Sequence, residues 1–139
     1  MRSVISVLFL HCASLASAEG TPTVKCNPGG AQIEQNICAY EDFMAADRAL
    51  NQTYQALLRK EGADAHYVAK LRLAQKAWIA FRDAELEATF ACAEEGARAC
   101  WGSIYPLAYN VFKTRLTDER RMRLAEILEK GRPADGVHN

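Results

Sequence analysis

A chain of 139 residues with 17 basic and 17 acidic side chains has room for one small domain and carries no net formal charge. That balance, with no basic stripe, argues against nucleic acid or an anionic membrane surface as partner. Hydrophobic residues make up 50% of the chain, enough for a core. Beyond the first residues, no apolar run approaches the roughly 20 residues that a membrane span needs.

The N-terminus reads as an export signal. Arg2 gives a short positive region, Val4 to Leu10 an apolar stretch, and Ala16-Ser17-Ala18 a small-x-small cleavage site. Residues 1–18 are therefore expected to be a cleaved signal peptide, with a mature chain starting at Glu19. A lipidated cysteine would need small residues before it, and His11 before Cys12 fits that poorly. Four cysteines then remain: Cys26, Cys38, Cys92 and Cys100. An even count in an exported chain reads as disulfides, and four cysteines allow three pairings. Cys26–Cys38 and Cys92–Cys100 are favoured, because each pair is close in sequence and flanked by Gly or Pro. Zinc is the rival reading, but no C-x-x-C knuckle is present and His66 and His138 lie far from the cysteines.

Residues 19–31 are rich in Gly, Pro and Thr and read as an irregular arm. From Gln32 to about Arg59, Phe43, Asp47, Leu50, Tyr54 and Leu57 recur in steps of three and four, lining one face of a helix closed near Gly62. Asp64 caps a second helix running to about Ala91, with Leu71, Ala74, Gln75, Trp78, Phe81 and Arg82 as its stripe. Cys92 and Cys100 bracket a loop turning at Gly96. Ser103 then reads as the N-cap of a third helix that turns Ile104, Leu107, Val111 and Phe112 inward. Thr117 reads as the cap of a fourth, with Asp118 and Glu119 in its first turn and Leu124, Ile127 and Leu128 buried. The expected fold is all-α: a bundle of about four helices with two disulfides over residues 32–130, and a disordered tail at 131–139.

Polar residues interrupt two of the apolar stripes. Asp47 sits between Phe43 and Leu50, and Arg82 lies one turn after Trp78. A buried charge needs a partner, so Asp47 is expected to face Arg82, with Asn51 and Gln75 completing a buried polar network. Such a network fixes helix register, or alternatively lines a small-ligand pocket. No catalytic residues emerge: there is no H-E-x-x-H, G-x-S-x-G, phosphate loop or dinucleotide turn, and no cofactor or metal is implied. Glu85/Glu87 and Glu94/Glu95 read as solvated faces. The bridged loop is the most suggestive surface feature, offering Glu94, Glu95 and Arg98, with Trp101 immediately after. A closed loop loses little entropy on docking, and Trp and Arg are common interface anchors. The plainer expectation is that Trp101 packs on the core and the acids merely face water.

The order of these features resembles the LprI-like lysozyme-inhibitor family. The matching pieces are Cys26 and Cys38, A-D-R-A-L-N-Q-T-Y at Ala46 to Tyr54, and A-Q-K-A-W-I-A-F-R-D-A-E at Ala74 to Glu85. Gly102-Ser103 and L-T-D-E-R at Leu116 to Arg120 follow. The family pattern often adds a cysteine after the R-D-A-E piece and another before the L-T turn. Here those places hold Leu86 and an apolar residue near Val111 or Phe112, so apolar packing is expected in place of that bridge. The resemblance implies a periplasmic or secreted, non-enzymatic protein whose partner is a lysozyme or another peptidoglycan-degrading enzyme. An inhibitor of that kind must obstruct a cleft whose chemistry uses two carboxylates. The bridged loop with Arg98 and Trp101 is the element expected to enter it. The alternative is a periplasmic structural or small-ligand-binding domain without inhibitory activity.

Overall fold

At Asn27 the N-terminal arm folds back on itself. Its side-chain oxygen accepts from the Gly29 N–H at 3.2 Å and its carbonyl from Gly30 at 3.1 Å, a turn that Asx and Gly residues favour. The computed structural model describes residues 24–133, so the expected signal peptide lies outside the described residues. Helix α1 (Gln32–Lys60) follows, its first turn held by the Glu34 carboxylate, which accepts the Ala31 N–H at 2.7 Å. The Cys26–Cys38 disulfide pins the arm to the second turn of α1. At the other end the cap is Glu61, whose N–H donates to the Leu57 carbonyl at 3.0 Å. Gly62 is not at a left-handed φ, so the expected glycine cap is not what ends α1.

Asp64 caps α2 (Ala65–Thr89) as its position suggests, accepting from the Tyr67 N–H at 2.9 Å. The bridged segment contains the short helix α3 (Ala97–Trp101) and a 3-10 turn (Gly102–Ile104), and α4 (Tyr105–Lys130) completes the chain. The described residues thus hold three long helices and one short one, with no strand. The expected third and fourth helices are one. Thr117 is fully buried inside α4, and its hydroxyl donates to the Lys113 carbonyl at 2.8 Å instead of capping a new helix. Asp118 and Glu119 sit mid-helix and pair with Arg121 at 3.1 Å and Arg115 at 3.9 Å. Ser103 is likewise not a side-chain cap, because the 3-10 turn feeds α4 directly, and Pro106 is accommodated in the first turn. Ile104 and Val111, expected inside, are exposed.

Contacts at both ends fix the directions. Asn36, early in α1, donates to the carbonyl of Ser103 at 3.3 Å, and Lys60 donates to the carbonyl of Leu128 at 2.7 Å. Helices α1 and α4 therefore run parallel. Helix α2 returns antiparallel alongside this pair, with Asp64 beside Arg132 at 3.0 Å and Phe90 beside Tyr105. The closest backbone approach is between α1 and α4, while α2 stands farther off. Leu50, Leu57, Leu71 and Leu124 form the main core, packed with Tyr54, Tyr67, Trp78 and Ile127. Each buried Leu contributes roughly 1.5–3 kcal/mol. Leu86 is fully buried, and Phe90 centres a second cluster with Trp101, Tyr105, Tyr109 and Phe112 at the opposite end. Gly131 to Pro133, the start of the expected tail, lie against the α2 N-terminus through Arg132; residues 134–139 lie outside the described residues.

Candidate functional site

The four polar residues expected to form one network are divided among three contacts. Asn51 donates to Asp47 at 3.0 Å along the surface of α1, with Asn51 exposed and Asp47 half-buried. Arg82 is buried, and its guanidinium is taken by the adjacent Asp83 through bonds of 2.7 and 2.8 Å, with the Trp78 ring 5.3 Å away. Gln75, also buried, accepts from Nε of Arg120 at 3.0 Å. The expected Asp47–Arg82 pair is replaced because Asp83 supplies a carboxylate from the next residue, with no long-range geometry to satisfy.

Lys113 of α4 is the residue that sequence reasoning missed here. Its ammonium lies 4.3 Å from the Phe43 ring centroid on α1 and 5.8 Å from that of Tyr109. Burial, then the nearby Arg82 charge, lowers its pKa, and Asp83 and Asp47 oppose that shift. Helices α1, α2 and α4 therefore meet around a lysine set against two ring faces, with Asp47 and Asp83 acting on its charge through space. The signal was available: Tyr109, Lys113 and Thr117 recur every four residues, a stripe hidden once Thr117 is read as a helix start.

The Cys92–Cys100 pairing is present, so all four cysteines of the described residues are in disulfides. Two glycines shape the segment. Gly96 at φ 86° opens α3 and Gly102 at φ 62° closes it, both in the region that side chains disfavour. Neither has a heavy atom within 4 Å of where a Cβ would sit, so it is backbone conformation rather than crowding that calls for glycine. Glu94, Glu95 and Arg98 are exposed. Trp101 divides its surface: one edge packs against Phe90 with centroids 5.4 Å apart, and 38% of the residue remains exposed. Ile104, one turn later, is 48% exposed. The segment therefore presents two large apolar side chains beside a charged loop, clamped by a disulfide and by the Phe90 cluster.

The sequence matches the family model for Lysozyme inhibitor LprI over residues 25–124. This chain belongs to the LprI family. A relative, an uncharacterized protein of Rhizobium meliloti (strain 1021), is 33% identical over 133 residues, covering 88% of this chain and 91% of its own length. No solved structure matches. The LprI match spans the arm disulfide, both long motif helices, the bridged loop and most of α4. The family is one of inhibitors, and the residues brought together here are those of a helical scaffold carrying an exposed clamped loop.

Proposed function

We propose that this chain is an exported inhibitor of a lysozyme or related wall-degrading enzyme, and that the Cys92–Cys100 segment with Trp101 is the element it presents. The observation that carries the reading is the clamped segment itself, in a chain of the LprI family. Arg98 and the free edge of Trp101 are exposed on a loop held at both ends, the form of a convex element able to enter an enzyme cleft. The two disulfides fit an oxidising compartment such as the periplasm or the exterior. Catalysis has no part in this reading, since obstruction of a cleft needs only complementarity.

The test is a muramidase assay on cell walls with the oxidised chain from Glu19 onward added in rising amounts, across several lysozyme classes. Stoichiometric inhibition supports the reading. Arg98→Ala removes an exposed charge without touching the Phe90 cluster, and Trp101→Phe keeps a ring against Phe90 while trimming the exposed edge. Both are expected to weaken inhibition by roughly tenfold or more while leaving helicity intact. Full inhibition by the double variant would place the contact surface elsewhere, and no inhibition of any lysozyme class would remove the claim.

A further inference from the structure

The greater separation of α2 from α4 leaves an open groove between them, on a stretch of the bundle away from the bridged loop. One cavity of about 320 Å³ is lined by Trp78, Phe81, Leu116, Glu119, Arg120 and Arg123. A second, of about 240 Å³, shares Arg120 and Arg123 and is walled mainly by Tyr67, Leu71, Leu124 and Ile127. The two guanidiniums thus stand between a recess of mixed polar and apolar lining and a mainly apolar one. Phe81, expected in the core, is 56% exposed at the mouth of the first.

The two arginines have no carboxylate in contact among the described residues. Glu119 lines the first recess but pairs, at 3.9 Å, with Arg115 on the outer side of α4 rather than with Arg120 or Arg123. Among the described residues no carboxylate lies within ion-pair distance of Arg120 or Arg123. Arg120 is half-buried and has a neutral amide oxygen, that of Gln75, as its hydrogen-bond acceptor. Burial and the neighbouring Arg123 charge both disfavour its charged form. A half-buried guanidinium flanked by a second one, with no carboxylate in ion-pair contact, is an arrangement that an incoming carboxylate relieves, since charge-assisted bonds to Arg are the strong ones. The recesses are too open to enclose a small molecule, which ordinarily buries most of its surface in its site. They suit an extended chain that lays a bulky apolar side chain on Trp78 and Phe81 next to an acidic one.

We propose that the α2–α4 groove is a second binding site, for an acidic peptide segment of a protein partner, in which Arg120 and Arg123 receive a carboxylate and Trp78 and Phe81 receive the adjacent apolar side chain. The site is independent of the bridged loop and of whether the chain inhibits a lysozyme. Its convex and concave surfaces would let one molecule hold two partners, or two parts of one.

The probes are acetyl-Glu-Leu-Glu-amide and acetyl-Gln-Leu-Gln-amide, titrated into the oxidised chain and followed by NMR at the two indole N–H signals and at arginine Nε–H. The acidic peptide is expected to shift Trp78 and Arg120 but not Trp101, and to bind roughly tenfold more tightly than the Gln peptide. Raising salt should weaken the acidic peptide selectively. Arg123→Gln, at an exposed position, should preserve the spectrum of the free protein and remove most of that preference. Equal binding of the two peptides, shifts confined to Trp101, no shift at millimolar peptide, or an unchanged preference in Arg123→Gln would each overturn the proposal.

Discussion

Nε of Arg120 on α4 donates to Oε1 of Gln75 on α2 at 3.0 Å, joining two helices whose backbones pack less closely than those of α1 and α4. Gln75 is 7% exposed, so water cannot readily replace its side chain. Gln75→Ala would leave a half-buried guanidinium without its acceptor and is expected to cost roughly 1–3 kcal/mol. Urea unfolding followed by circular dichroism should show a lower midpoint at an unchanged slope. An unaltered midpoint would mean that Arg120 finds an equivalent acceptor.

The continuity of α4 has a sharp test at Asp118. Were Thr117 the cap of a separate helix, residue 118 would be its first position, where proline is tolerated. Inside one continuous helix, proline at 118 removes a hydrogen bond and clashes with the preceding turn, costing about 3 kcal/mol or more. Asp118→Ala controls for loss of the 3.1 Å pair with Arg121, a partly solvated contact worth about 1 kcal/mol or less. A large fall in melting temperature for the proline variant alone is the expected result.

The helices were legible wherever local chemistry and periodicity agreed. The steps through Leu50, Tyr54 and Leu57 gave the face of α1, and Asp64 marked the start of α2 with its own hydrogen bond. Both disulfides were legible from short spacing. The L-T-D-E run misled because Thr followed by acids is what a helix start looks like, whereas this Thr is fully buried with its hydroxyl satisfied one turn back. The polar stripe showed that Gln75 and Arg82 are buried but not which partners they take. Partner choice depends on helix rotation and spacing, and a neighbouring residue such as Asp83 wins over a distant Asp47 when both offer carboxylates. The exposed edge of Trp101 was not readable either, since it depends on how Phe90 meets the bridged loop.

Asp64 links the start of α2 to the far end of α4. The bond from the Tyr67 N–H, then that from Arg132, lowers its pKa below the ordinary 3.8. A carboxylate with a depressed folded pKa contributes stability that is fully present above the unfolded value and is lost as pH falls through the folded one. Asp64→Asn keeps a capping oxygen but loses the charge. The variant should melt below wild type at neutral pH, with the gap closing as acid protonates Asp64 below about pH 4. A gap that stays constant down to pH 2 would show that the charge contributes nothing.

The two disulfides should separate stability from function. On the chain-entropy model, closing loops with separations of 12 and 8 residues stabilises by about 2.5–3 kcal/mol each. Cys26→Ser/Cys38→Ser and Cys92→Ser/Cys100→Ser should therefore lower unfolding stability by similar amounts. Their effects on inhibition should differ. Cys26–Cys38 ties an arm to α1, whereas Cys92–Cys100 holds Arg98 and the approach to Trp101 in place before any partner arrives. Without the second bridge the loop must be ordered on docking, which weakens association with no contact removed. Muramidase titration of both variants, at a temperature where each is folded, should show near-native inhibition for the first and a clearly weaker inhibitor for the second. Equal inhibition by both would remove pre-ordering of the loop from the proposed mechanism, and greater loss in the first would move the contact surface to the N-terminal arm.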